Sequence, residues 1–245
     1  MSKIACIIQA RTGSSRLPGK VLKKILGKPL LEHLVERLKR SQTIDEIVIA
    51  TTLKSSDRAI IDLAEKCAVQ WYAGSEDDVL SRYVGAAKKV NSPHVIRVTS
   101  DCPLIDPETI DKVVNQYKKT NVDYVSNTLE RTYPRGLDAE IFSMEALEKA
   151  DKAAVDQSSR EHVTLYMYRH PEHFSLSNVR AEPPLNRPDL RLCVDTEEDF
   201  RLIKEIYEAL YKPEKIIDVL DVLNLLMNER PELVKINAHI EQKKV

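Results

Sequence analysis

Through its first 120 residues the chain alternates short apolar runs with segments of helical spacing, and that rhythm leaves few folds open. Ile4-Ala5-Cys6-Ile7-Ile8 reads as a buried strand. Leu30, Leu31, Leu34, Val35 and Leu38 then repeat at helical spacing behind Pro29, which suits a first helical position. The run 47–50 is a second strand, and Ser56-Asp57 starts a helix through Ile60, Ile61, Leu63 and Ala64. Residues 69–72 form a short strand, Asp77-Asp78 opens a helix carrying Val79, Leu80, Tyr83, Val84 and Ala87, and 94–98 is again strand. Pro107-Glu108 opens a helix through Val113, Val114 and Tyr117. Strands separated by helical crossovers pair in parallel and need helices over both faces. The expected fold class is therefore α/β, a mostly parallel twisted sheet with helices on both sides.

The second half departs from that rhythm. Residues 123–126, 139–142, 174–179 and 190–194 read as strands; 144–154, 158–168, 196–211 and 219–227 read as helices. No Gly/Ser linker, repeat or low-complexity stretch divides the chain. The reading is one domain, 1–245, with a substrate-side or dimerisation insertion at about 125–185 and a frayed tail at Lys243-Lys244-Val245.

Between the first strand and the first helix lies the loop Arg11-Thr12-Gly13-Ser14-Ser15-Arg16-Leu17-Pro18-Gly19-Lys20. It holds two of the six glycines and three cations, with no acidic residue. Glycine lets backbone N–H groups come close to an anion, and Arg and Lys add charge-assisted hydrogen bonds. A P-loop is excluded: five residues rather than four separate Gly13 from Gly19, and Val21 stands where a metal-binding Ser or Thr belongs. A basic surface turn is the plain alternative. Three cations without a counter-charge repel one another unless an anion joins them, which favours phosphate binding.

Composition narrows the partners. The formal net charge of −1 supplies no basic field for nucleic acid or a membrane surface. No apolar run is long enough to span a bilayer and no signal peptide is evident. Cys6, Cys67, Cys102 and Cys193 are scattered without C-x-x-C spacing, as expected for free thiols in a reducing cytoplasm, and a zinc site is not indicated.

In open α/β sheets, ligands bind beyond the carboxyl ends of the strands. The first strand ends in Gln9-Ala10-Arg11, the second in Thr51-Thr52, the fourth in Thr99-Ser100-Asp101, and the run 190–194 in Asp195. Two lone aspartates thus share an edge with the cationic loop. Magnesium takes one or two carboxylates plus phosphate oxygens and waters, so Asp101 and Asp195 are candidate ligands. Each also has an ordinary reading: Asp101 as a turn residue before Cys102-Pro103, Asp195 as the N-cap of the next helix.

Gln9-Ala10-Arg11 with Gly13-Ser14-Ser15-Arg16-Leu17-Pro18-Gly19-Lys20 resembles the opening signature of the cytidylyltransferases that make CMP-linked acidic sugars. This opening is closest to the CMP-Kdo synthetase branch, and the chain over nearly its full length looks most like the spore coat polysaccharide biosynthesis group, a relative of that family. Asp101-Cys102-Pro103-Leu104-Ile105 is similar to that family's Asp-x-Pro-Leu-Ile segment, and Val194-Asp195-Thr196-Glu197-Glu198-Asp199-Phe200 to its Val-Asp-Thr-x-x-Asp-Leu segment. The resemblance implies a nucleotide-diphospho-sugar transferase fold, close to GT-A glycosyltransferases. It implies that CTP phosphates rest on Arg11, Ser14, Arg16 and Lys20, with Gln9, Ala10, Gly13, Ser15, Thr51 and Ser100 completing the nucleotide site. It also implies Mg2+ on Asp101 and Asp195, with Arg16, Lys20 and Asp101 as the catalytic set, and plausible homodimerisation.

On the acceptor side, His162 and Tyr166 are read as i and i+4 on one helix face, matching a His/Tyr pair of that branch; a helix merely packed by its tyrosines is the alternative. In Arg135-Gly136-Leu137-Asp138-Ala139-Glu140, Asp138 and Glu140 would share a strand face and Arg135 could meet a substrate carboxylate or phosphate; a polar strand face is the alternative. The activity implied is Mg2+-dependent transfer of CMP from CTP to an acidic sugar or related small acceptor, in surface polysaccharide biosynthesis. A GT-A glycosyltransferase is the second reading, weakened because the central strand ends in a single Asp rather than Asp-x-Asp.

Overall fold

The computed structural model describes residues 2–242. The apolar run near the start forms β1 (Ile4–Gln9), buried on both faces at the centre of a sheet. It pairs in parallel with β4 (Glu46–Thr52) on one side and β6 (His94–Thr99) on the other. β5 (Gln70–Gly74) adds a further parallel edge strand beside β4. Past β6 the sheet continues through β8 (Glu140–Ser143), β7 (Tyr124–Ser126) and β9 (Leu176–Asn178), giving the order β5-β4-β1-β6-β8-β7-β9. Only β8 runs against its neighbours; the rest share one direction. The fold is thus α/β with a mostly parallel seven-stranded mixed sheet.

Period-two alternation along β1 divides its side chains between two cores. Ile4, Cys6 and Ile8 pack under α1 (Leu30–Leu38), α2 (Arg58–Lys66) and α4 (Pro107–Thr120). Ala5 and Ile7 pack under α3 (Val79–Lys89), α5 (Met144–Ala153) and α7 (Leu165–Arg169). A third apolar cluster joins the hairpin of β2 (Lys24–Ile25) and β3 (Lys28–Pro29) to α8 (Glu197–Leu210) and α9 (Val219–Asn224), through Ile25, Leu30, Leu192, Leu202 and Leu226. Burying each such aliphatic side chain contributes about 1.5–3 kcal/mol.

Several local expectations need correction. Pro29 is not the first helical residue: at φ −56 and ψ 150 it ends β3 and precedes α1. The segment 158–168 is not one helix. α6 (Gln157–Glu161) stops at His162, whose φ −103 and ψ 70 leave the helical region, and α7 begins at Leu165. His162 and Tyr166 therefore do not lie one turn apart on a common helix. Residues 190–194 do not form a strand; they touch the Arg135 backbone through a single bridge, Arg135↔Arg191. Asp138 precedes β8, so it does not share a strand face with Glu140. The helix expected over 219–227 is α-helical only to Asn224 and then widens into a π turn over Leu225–Glu229. The frayed tail expected at 243–245 lies outside the described residues.

Candidate active site

The carboxyl ends of β1, β4 and β6 lie side by side, because Gln9 is in register with Ala50 and with Thr99. The loop leaving β1 must therefore pass over the ends of its neighbours. It is folded back on itself by two bonds to one carbonyl: the Ser14 and Gly19 N–H groups both donate to Thr12 O, at 2.9 Å each. Gly19 sits at φ 69, a left-handed conformation that costs glycine little, and delivers Lys20 into a short 3-10 turn, Lys20–Leu22.

Asp57 pins the loop to the neighbouring strand. Its carboxylate accepts from the Thr12 N–H at 2.8 Å, the Thr12 hydroxyl at 2.6 Å and the Thr52 hydroxyl at 2.5 Å. Burial pushes the Asp57 carboxyl up, but these bonds outweigh it and hold it below the ordinary carboxylate range. The sequence reading treated Asp57 only as a helix start; a lone Asp five residues past a hydroxyl-bearing strand end is the signal that was there to use.

At the other end of the loop, Lys20 reaches three acceptors. Its Nζ donates to Asp195 Oδ1 at 2.8 Å, to Val194 O at 2.8 Å and to Asp101 Oδ2 at 3.3 Å. The two carboxylates are thus brought within about 6 Å of each other on one ammonium group. Burial lowers the Lys20 pKa, yet Asp101 and Asp195 outweigh it and raise it overall. Burial raises Asp101, and Lys20 with the Thr99 hydroxyl more than reverses that. Arg16 adds a second cation at 3.0 Å from Asp195 Oδ2.

Asp195 is not the cap of α8. Thr196 takes that role in a capping box with Asp199, each side chain bonding the other's backbone. Asp195 is freed to face Lys20 and is held by Arg191, whose Nη2 lies 2.7 Å from its Oδ2. Arg191 is in turn fixed on fully buried Asp199 by bonds of 2.9 and 3.0 Å. The backbone before Asp195 is brought in by Gly136, at φ 101: a Cβ there would lie 2.6 Å from the Leu192 carbonyl carbon. Sequence reasoning missed Arg191 and Asp199; the Thr196-x-x-Asp199 spacing was the legible cue.

The remaining predicted residues fall into distinct places. Arg11 lies 3.8 Å from Glu76 and 3.8 Å from Glu161, so the end of α6 borders the loop. Glu76 also pairs with Lys54 and stands 3.4 Å from where a Gly13 Cβ would be. Gly13, Ser15 and Arg16 are exposed, while Ala10, Thr51 and Ser100 are buried. Gln9 Oε1 and Thr51 Oγ1 are buried without a hydrogen-bond partner among the described residues. Asp138 is held by Arg131 in a bidentate pair at 2.8 and 2.9 Å. Glu140 is buried between Arg97 and the Tyr124 hydroxyl, beneath the sheet end rather than at its rim. Arg135 stands near Arg131 and Arg191; burial and their charges lower its pKa. Tyr166 packs on His170 and Phe174, and His162 occupies the break between α6 and α7.

The structure therefore gathers Arg16, Lys20, Asp101 and Asp195 into one cluster, while Arg11, at the start of the same loop, faces Glu76 and Glu161. No group of three or more His, Cys, Asp or Glu side chains able to hold a metal occurs among the described residues. Two carboxylates without a full protein cage match the donor set of a magnesium ion that shares its coordination with substrate phosphates and waters.

A family model described as cytidylyltransferase matches residues 5–221, which includes the whole loop and both aspartates. The chain belongs to the cytidylyltransferase family. It is 41% identical over 243 residues to an uncharacterised protein, MJ1063, of Methanocaldococcus jannaschii, covering 98% of this chain and 97% of that one. It is 35% identical over 213 residues to the spore coat polysaccharide biosynthesis protein SpsF of Bacillus subtilis, covering 85% and 88%. A solved cytidylyltransferase structure from Leptospira borgpetersenii superposes with a TM-score of 0.89 at 30% identity, over the full length of both chains. As a cytidylyltransferase the chain is a nucleotidyltransferase. No helix among the described residues is long and apolar enough to cross a membrane.

Proposed function

We propose that this cytidylyltransferase moves CMP from CTP to an acidic sugar or a related small acceptor and releases pyrophosphate. The observation that carries the reading is Lys20, held between Asp101 and Asp195 at the end of an anion-suited loop. Two carboxylates about 6 Å apart repel by on the order of 3 kcal/mol at an effective dielectric of 20, so the pair needs a cation. Lys20 meets that need here. In the loaded enzyme Asp101 and Asp195 would hold Mg2+ instead, leaving Lys20 and Arg16 to the phosphates.

Magnesium bound there would supply Lewis-acid polarisation of the α-phosphate and of the acceptor hydroxyl. The protein's own contribution is alignment and charge. Arg11 would exchange its long contacts to Glu76 and Glu161 for phosphate oxygens. Lys20 and Arg16 would neutralise charge growing on the departing pyrophosphate, and Arg191 with Asp199 would hold the Asp195 carboxylate in place. The α6 end, with His162 next to Glu161, and Arg135 offer the acceptor side. The segment 125–185 would carry that side and a dimer contact.

An acidic acceptor and a surface-polysaccharide role are supported by the sequence resemblance to CMP-Kdo synthetases and by the likeness to the Bacillus subtilis protein. Incubation with each NTP, Mg2+, pyrophosphatase and candidate sugar acids tests the reading. Phosphate release that requires CTP, Mg2+ and an acceptor is the expected result. Consumption of a nucleotide sugar with no use of CTP would replace it by glycosyl transfer.

A further inference from the structure

On the α1 side of the molecule, away from Lys20, a cavity of about 380 Å³ opens between α1, the end of α8 and the loop after it. Its lining includes His33, Arg37, Lys39, Arg40, Tyr211 and Lys215, and its only acids are Glu36 and Glu214. Glu36 is already paired with Lys28, at 2.5 Å. Lys39 and Arg40 also complement the C-terminal dipole of α1. Arg37 does not serve that end. Its side chain turns inward, only 2% exposed, where Nε donates to Ile105 O at 2.6 Å and Nη1 to Ile217 O at 2.7 Å. The third nitrogen, Nη2, is buried without a hydrogen-bond partner, and no carboxylate forms an ion pair with Arg37 among the described residues. Burial lowers its pKa, only partly offset by Tyr207 and by Asp106 and Asp218. A buried guanidinium without an ion-paired carboxylate is costly to the fold, and an anion in the cavity that Arg37 lines supplies the missing counter-charge.

We propose that this cavity is a binding site for a small phosphorylated anion, distinct from the active site. Arg40 and Lys215, both exposed, stand at its mouth, and Arg37 forms its inner wall. The volume suits a molecule of mononucleotide size or smaller, and the Tyr207, Tyr211 and His33 rings supply an apolar flank. The site is tied to the turn after β6. Arg37 holds the Ile105 carbonyl and Tyr207 holds the Pro103 carbonyl at 2.7 Å, both within four residues of Asp101. Occupancy therefore acts on the segment that carries Asp101, a coupling that rests on the proposed role of that residue, whereas binding itself does not.

Inorganic phosphate is the probe, and the His33 imidazole NMR signal, assigned by its loss in His33→Gln, is the local readout. A saturable shift of that signal is expected in the wild-type chain and in Lys20→Ala. In the Arg40→Gln/Lys215→Gln double variant, whose changes are exposed, apparent affinity is expected to fall at least tenfold. No saturable shift, or a shift indifferent to the double substitution, overturns the site. A nucleotide KM that responds to phosphate at least twofold in wild type but not in the double variant is the expected coupling; binding without any such difference overturns the coupling.

Discussion

Lys20 is the residue on which the candidate active site balances. It separates two carboxylates in the structure, and in the proposed reaction it would meet the leaving pyrophosphate. Lys20→Ala is expected to lower turnover at least a hundredfold, about 3 kcal/mol in the barrier, while the circular dichroism spectrum and the cooperative melt persist. Full pyrophosphate release by that variant would remove Lys20 from the chemistry. The loop's cations and Asp101 were legible in the sequence because each follows an apolar run that is a strand, and strand ends of a parallel sheet converge on one edge. Asp195 follows an apolar run that is not a strand, and reaches that edge through the contact of Gly136 with Leu192. Arg191 and Asp199 were not singled out. Their part is to orient Asp195, and a residue that acts through another leaves little trace in local sequence.

Elements succeed or fail here through a few backbone positions. Gly136 lets the 133–137 turn lie against Leu192 and Cys193, and so presents Asp195 to Lys20. Gly136→Ala forces both a positive φ and a 2.6 Å contact. It is expected to cost about 2–3 kcal/mol by denaturant titration and to reduce activity in the fraction that stays folded. In α1, His33 is buried beside Tyr207, and its Nε2 lies 2.9 Å from the Ile25 carbonyl. Burial lowers its pKa below 6.5, and the Ile25 bond only partly offsets that. The unfolded chain therefore binds a proton more readily than the folded one. The stability tied to neutral His33 is present above pH 6.5 and is lost as pH falls through the folded value. In phosphate-free buffer, the melting temperature of the wild-type chain is expected to drop more between pH 7.5 and about 5 than that of His33→Gln. Equal drops would place the titration elsewhere.

For the whole molecule, the candidate active site is a meeting of three parts: the loop after β1, the turn after β6 and the segment before α8. A ligand that joins them stabilises the native state alone. CTP with Mg2+ at a hundredfold excess over its Kd is expected to add about 2.7 kcal/mol, a rise of several degrees in melting temperature. The same nucleotide should add much less to Asp101→Asn, and GTP should add less to the wild-type chain. A shift of equal size for every NTP would show phosphate binding without base selection.

The order of the main strands and helices through residue 120, the β2–β3 hairpin aside, the anion-suited loop and the place of Asp101 at the end of β6 came from the sequence alone. Local periodicity, glycine placement and the right-handed logic of parallel crossovers are enough for that. Tertiary structure decided the rest. It broke the expected helix at His162, turned 190–194 into an irregular segment held by Gly136, buried Glu140 on Arg97, and left Arg37 without an ion-paired carboxylate among the described residues. Those outcomes depend on which distant backbone or charge comes to rest within a few ångströms, and contacts of that kind have no period along the chain.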